Sequence, residues 1–154
     1  MMSSAKPPQV KERYTSGSDL DQVGFHDCHV SGVRWDSSGF EVVFELDYIV
    51  EWVEPSPGER GYRFWVSPAE LRFSDVDDFR LELAWTGLAL DCSIQDLHRR
   101  EKRTTPNGNV QWRWEFELAV PQGTIALWAT GFELRIQRPP TLSATQEFFR
   151  RGRG

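Results

Sequence analysis

Residues 40–52 read FEVVFELDYIVEW, and this stretch decides the fold class. Every second residue in it is apolar: Phe40, Val42, Phe44, Leu46, Tyr48, Val50 and Trp52. Acidic residues fill most of the places between them: Glu41, Glu45, Asp47 and Glu51. Successive side chains of a strand point to opposite faces, whereas a helix would scatter these acids around its circumference. The pattern therefore predicts a long strand with one buried and one charged face.

Turn signals on both sides of this stretch predict further strands and antiparallel pairing. Asp36-Ser37-Ser38-Gly39 precedes it and closes a predicted hairpin with a strand from His29 to Trp35. Asn107-Gly108 supplies the positive φ values of a second tight turn, and residues 112–120 after it alternate again between apolar and polar. In the last long strand the apolar residues shift from odd positions, ending at Leu127, to even positions, beginning at Phe132. A bulge at Gly131 would account for this shift.

These elements predict a mainly β protein, α+β at most. The expected architecture is an antiparallel β-sandwich or a partly open barrel of seven to eight strands. One short C-terminal helix is predicted over Ser143–Phe149, with Phe148 and Phe149 covering the sheet. Residues 1–22 lack an apolar period and are predicted to be a disordered tail, 23–149 a single β-rich domain and 150–154 a basic tail.

Charge and composition narrow the classes of function. The net charge is −5, with an acidic segment from Asp19 to Glu59 and a basic excess after residue 97, which favours a basic protein partner over a polyanion and makes nucleic-acid binding unlikely. No apolar run approaches the length of a membrane span, and no signal sequence is evident, so a cytoplasmic location is expected. The chain has no nucleotide-binding glycine loop, and no cofactor is predicted.

Four segments carry a resemblance to a known kind of protein: FHDCHV (25–30), LDYIVEW (46–52), FWVSPAELRF (64–73) and GFELRIQRPP (131–140). On these segments the chain resembles a family of small, uncharacterised bacterial β-rich proteins that are distantly like polymorphic-toxin immunity proteins. The resemblance implies a cytoplasmic β domain. It assigns no catalytic residues.

The densest group of metal-capable side chains is His26, Asp27, Cys28 and His29. Imidazole, carboxylate and thiolate all ligate zinc, so His26 and His29 are candidate metal ligands, although only Asp91, Cys92 and His98 remain to supply the second group of ligands that structural zinc sites usually have. The alternative is that His26 and Asp27 bond backbone groups ahead of the first strand. Cysteine-nucleophile chemistry at Cys28 or Cys92 and carboxylate chemistry on polar strand faces remain weaker alternatives.

Seven residues are candidates for a binding surface: His26, Asp27, His29, Asp47, Glu51, Trp52 and Arg138. No motif assembles a catalytic site, and an acidic surface captures basic partners rapidly, so the first hypothesis is a non-enzymatic protein-binding domain. The second hypothesis is a metal-dependent hydrolase using His26, Asp27 and His29. A third is a small-ligand carrier with a pocket lined by some of the seven tryptophans.

Overall fold

A computed structural model describes residues 6–144, which form an antiparallel β protein. The strands are β1 (Arg13–Thr15), β2 (His29–Asp36), β3 (Glu41–Val53), β4 (Arg63–Ser74), β5 (Asp77–Ala84), β6 (Ser93–Thr104), β7 (Val110–Val120), β8 (Gln122–Ala129), β9 (Gly131–Ile136) and β10 (Thr141–Ser143). A 3-10 turn, Leu20–Gln22, lies between β1 and β2. The predicted antiparallel β class is confirmed.

The ten strands of residues 6–144 belong to one sheet, which does not close within this range. Its order is β1-β9-β4-β3-β2-β6-β7-β8-β5, and β10 pairs with β4 on the edge that β9 also uses. Ten strands exceed the seven to eight predicted. The difference arises because β1 and β10 are only three residues long, too short for a period of two to be recognised.

The two predicted hairpins are present, with β2 pairing β3 and β6 pairing β7. At the first turn, the Asp36 carboxylate accepts hydrogen bonds from the amides of Ser38 and Gly39 at 3.0 and 3.2 Å. At the second, Gly108 has φ +86° and donates to the Thr105 carbonyl at 2.9 Å. Local turn chemistry therefore fixes both connections.

The bulge predicted at Gly131 is instead a change of strand. β8 pairs with β7 and β5, whereas β9 pairs with β4 and β1. Thr130 spans the crossing, and its amide and hydroxyl donate to the Ser74 carbonyl at 3.1 and 3.2 Å. The apolar positions shift between β8 and β9 because each strand must direct its own apolar side chains toward the core.

The sheet folds back on itself so that its two parts share one core. Phe44 of β3 lies 4.7 Å from Phe116 of β7, measured between ring centroids. Trp114 of β7 lies 5.7 Å from Phe73 of β4 and 5.3 Å from Phe132 of β9. Strands on opposite sides of the β2–β6 junction are therefore joined by aromatic packing rather than by ladder hydrogen bonds.

The central strand β3 differs from the simple alternation. Phe40 precedes the strand and is 65% exposed, and Trp52 near its end is 40% exposed, so neither belongs to a buried face. A register shift between Ile49 and Glu51 explains the change at Trp52, because one extra residue reverses which face a side chain takes. Before the shift, Asp47 and Ile49 are buried together with the predicted apolar set.

The boundaries of the predicted tails also differ from the structure. Residues 1–22 are predicted to be disordered, yet Arg13–Thr15 pairs with β9 and the Asp19 carboxylate accepts from Lys11 Nζ at 2.8 Å. Backbone pairing at a sheet edge orders this polar segment without an apolar period. Thr141–Ser143, at the start of the predicted C-terminal helix, is strand β10, while residues 145–149 of that helix and the tail 150–154 lie outside the described residues.

Candidate binding surface

His26 and Trp52 come together on one surface, as the sequence proposes. The His26 ring stacks on Trp52 with a centroid distance of 6.0 Å, and its Nε2 lies 3.5 Å from the Asp27 carboxylate. Its Nδ1 lies 3.0 Å from the Gln95 carbonyl, which can only accept, so the hydrogen resides on Nδ1. The imidazole therefore bonds a backbone carbonyl, as the backbone-bonding alternative expects.

His29 and Asp47 form a second grouping. They are directly opposite each other on β2 and β3, and His29 is also opposite Ser93 where β2 meets β6. Asp47 is fully buried. Across residues 6–144, no three His, Cys, Asp or Glu side chains are grouped so that they could hold a metal ion. The grouping that the hydrolase hypothesis needs is therefore not found in that range.

Glu51 and Arg138 complete the predicted set. The Trp52 ring also lies 5.7 Å from Tyr62 and 4.8 Å from Phe64, measured between centroids, and Glu51 next to it is exposed. Arg138 lines a groove with Pro139 and Pro140 that none of the other six residues borders. The seven residues therefore do not line one groove.

The two cysteines are buried thiols. Burial, together with the nearby charges of Asp47 and Asp27, raises the pKa of Cys28 to about 12. Burial alone raises the pKa of Cys92 to about 11. Since the thiolate is the nucleophile, neither cysteine is poised for nucleophilic catalysis near neutral pH.

Many of the aromatic residues pack on one another or lie against cationic side chains of the protein itself. Trp114 is 1% exposed within the core. The guanidinium of Arg99 lies 4.2 Å from the Trp112 ring centroid, and that of Arg103 lies 4.1 Å from the Trp128 centroid. These contacts occupy ring faces on which a nucleic-acid base or a carried ligand would otherwise stack.

Glu41 and Glu45 of the acidic segment are neutralised on the outer face of β2, β3 and β4. Arg34 donates to Glu45 at 3.1 Å and to Glu70 at 2.8 Å. Arg72 donates to Glu41 at 2.7 Å and to Glu70 at 3.4 Å. These bases come from neighbouring strands rather than from the basic C-terminal part of the sequence. The acidic segment is therefore not one continuous free anionic surface.

This network predicts an acid-sensitive contribution to stability. The hydrogen bond from Arg34 holds the pKa of Glu70 below its ordinary value. A carboxyl group whose pKa is lower in the folded chain than in the unfolded chain stabilises the fold. This stabilisation is fully present above the pKa of the unfolded chain, about 4.3, and is lost as the pH falls through the pKa of the folded chain. We expect Glu70→Gln to lower the free energy of unfolding by about 1 kcal/mol at pH 7. We expect almost no difference from the wild type at pH 2–3.

Urea unfolding across this pH range measures the effect, and Glu82→Gln, in an exposed ion pair with Arg80, is the matched control. A loss for Glu70→Gln that stayed the same at every pH would contradict the assignment, because it would arise from packing rather than from ionisation.

A surface that the sequence did not indicate lies where the β2–β3 turn meets β5. A groove of about 610 Å³ opens there. We call it the Phe40 groove; it is lined by Trp35, Asp36, Ser37, Phe40, Glu41, Val42, Val76, Phe79 and Leu81. Trp35 and Phe40 are 67% and 65% exposed, and Leu81 is 40% exposed. Large apolar side chains clustered at one exposed place mark an interaction surface more often than isolated ones do.

Phe40 occupies this surface with a strained backbone. Its φ is +54°, in the left-handed region that glycine and asparagine tolerate and that costs other residues about 1–2 kcal/mol. Its carbonyl accepts a hydrogen bond from the Val76 amide at 2.9 Å, which ties the turn to the start of β5. A large apolar side chain is thus displayed to solvent at a position where a small polar residue would be more stable, which points to a role in binding.

The rim of the groove is acidic. A second groove of about 630 Å³ also borders Phe40 and Val76. Together the two grooves are lined by the carboxylates of Asp36, Glu41, Asp75 and Asp77, with Arg103 as the cation among the described lining residues. Glu41 is paired with Arg72 and Asp77 with Arg103, so the acidic character of the rim comes chiefly from Asp36 and Asp75. Hydrogen bonds from Ser38 and Gly39 hold the pKa of Asp36 below its ordinary value, so Asp36 stays charged at neutral pH.

Comparisons with models of protein families, with curated proteins and with solved structures find no match. None of the helical segments within residues 6–144 has the length and apolar character to cross a membrane. The Phe40 groove, with its apolar side chains and acidic rim, is therefore the feature on which a function can be argued.

Proposed function

We propose that this chain is a non-enzymatic interaction domain that binds a basic protein partner through the Phe40 groove. The observation that carries the proposal is the exposed Phe40 in a left-handed conformation beside Trp35. Aromatic residues are the usual anchors of protein interfaces, where their burial supplies most of the binding energy.

The chemistry of the partner follows from the lining of the grooves. Apolar side chains of the partner would cover Trp35, Phe40 and Leu81. Lysine or arginine residues flanking them would approach Asp36, which accepts a hydrogen bond from the Ser38 amide, and Asp75, which accepts one from the Thr130 hydroxyl. Such complementarity chiefly speeds association and selects the partner. The resemblance to small bacterial proteins like immunity proteins agrees with such a role, and we propose a cytoplasmic location on the same ground.

Selection from a display library of random peptides tests this proposal. We expect the wild-type chain to enrich peptides that combine apolar residues with flanking lysine or arginine. Phe40→Asn should weaken an enriched peptide at least about tenfold, the loss typical of a central aromatic anchor. Because asparagine accepts a positive φ, this variant should fold as stably as the wild type or better.

Tyr62→Asn is the matched control, since Tyr62 is an exposed aromatic residue on another surface and is 47% exposed. It should leave peptide affinity unchanged. Failure to enrich any peptide, or equal binding by Phe40→Asn, would overturn the proposal. Sedimentation that shows a dimer abolished by Phe40→Asn would assign the groove to a second copy of this chain instead, which also contradicts a foreign partner.

A further inference from the structure

Resting on the proposed function, we infer that the partner binds as an extended strand that pairs with the open edge of β5. β5 is the last strand in the sheet order and pairs with β8; among residues 6–144 no strand pairs with its other edge. The other end of the sheet is β1, which has three residues against eight in β5. An open strand edge presents N–H and C=O groups that an added strand can satisfy.

The side chains of β5 are arranged for such an addition. Phe79, Leu81 and Leu83 alternate with Arg80 and Glu82, so one face is apolar and the other charged. Phe79 and Leu81 line the Phe40 groove together with Trp35. Side chains directly opposite each other on paired antiparallel strands lie about 4.5–5.5 Å apart at Cβ. Apolar residues at every second position of an added strand would therefore contact Leu81 and Leu83 and extend over Trp35.

An irregularity at the start of β5 sets the length of the added strand. The register with β8 shifts between Asp77 and Arg80, and Asp78 has φ +51°. From Arg80 to Ala84 the pairing is continuous with Ala126 to Gln122. The regular edge is therefore five residues long. The carboxylates near the shift, Asp75 and Asp77, place the preferred lysine or arginine at the end of the partner strand rather than in its middle.

Two measurements on the full chain with one enriched peptide test this mode. The first is amide hydrogen exchange by nuclear magnetic resonance. Alternate amides within residues 80–84 should exchange at least about tenfold more slowly when the peptide is bound, because only alternate N–H groups of a strand point to one edge. Amides in the middle of β3, which is paired on both sides, serve as the internal control.

The second measurement uses copies of the peptide that are N-methylated at one position each. Methylation should abolish binding at one set of alternate positions and leave it nearly intact at the other. In the protein, Leu81→Lys should weaken binding at least about tenfold, whereas Glu82→Thr on the opposite face should not.

The outcomes separate this inference from the proposed function. If a peptide binds and depends on Phe40, but β5 amides are unchanged and all N-methylated copies bind alike, the strand addition is wrong while the interaction domain stands. If no peptide binds, both fail. Slower hydrogen exchange at alternate β5 amides, together with loss of binding at alternate N-methylated positions of the peptide, supports the strand addition.

Discussion

Phe73→Ala is expected to lower the free energy of unfolding by about 3–5 kcal/mol, the usual cost of truncating a fully buried phenylalanine. Phe73 has no exposed surface, and its ring lies within 6.0 Å of those of Phe44, Trp114, Phe116 and Phe132, measured between centroids. Together with Phe73 of β4, these rings belong to four strands, β3, β4, β7 and β9, from both parts of the folded sheet. The truncation would therefore leave a cavity where the two parts meet.

Urea unfolding followed by tryptophan fluorescence measures this loss. Tyr62→Ala removes an exposed ring and should change stability by less than about 1 kcal/mol. A change of similar size in both variants would show that the two parts of the sheet do not share one core.

Gly123→Ala is expected to destabilise the fold by about 2–4 kcal/mol. Gly123 has φ +152°, and a Cβ built there would lie 2.1 Å from the backbone carbonyl oxygen of Glu82 and 2.9 Å from Cα of Leu83. Backbone atoms of a paired strand cannot move aside as a side-chain end can. Since Gly123 is opposite Leu83 in the β5–β8 ladder, the substitution should force β5 away from β8.

The matched control is Gly32→Ala in β2, where a Cβ would meet only the Glu45 side chain at 3.6 Å, an ordinary contact. Alanine there should be neutral or should stabilise the fold by about 0.5–1 kcal/mol. Because β5 carries the proposed partner strand, Gly123→Ala should also weaken peptide binding. Wild-type stability in Gly123→Ala would contradict the close approach of β5 and β8.

Local signals predicted the parts of the fold that depend on local physics. The Asp36–Gly39 and Asn107–Gly108 turns were readable because carboxylate hydrogen bonds and positive φ values are properties of a few neighbouring residues. The change of strand after Ala129 is visible in the sequence, because the apolar residues shift there from odd to even positions. The sequence could not show that this shift meant a new partner strand rather than a bulge, because pairing with β4 depends on residues far along the chain.

The binding surface was harder to predict than the fold. His26, Asp27 and Trp52 do lie together, because the residues before β2 and the end of β3 approach the same surface. The Phe40 groove was missed because Phe40 fits the alternating pattern of the strand that follows it. Only its positive φ and its exposure distinguish it from a core residue, and neither is visible in the residue type.

By itself, the sequence determined that the chain is an antiparallel β protein with charged outer faces and an aromatic core, since a period of two and turn chemistry are local properties. Tertiary structure alone decided that residues 6–144 form a sheet of ten strands, that Glu41, Glu45 and Glu70 are neutralised by Arg34 and Arg72, and that within this range one edge of β5 stays open. The physical reason is that pairing, neutralisation and exposure depend on which distant segments meet, and this is set by the packing of the whole core.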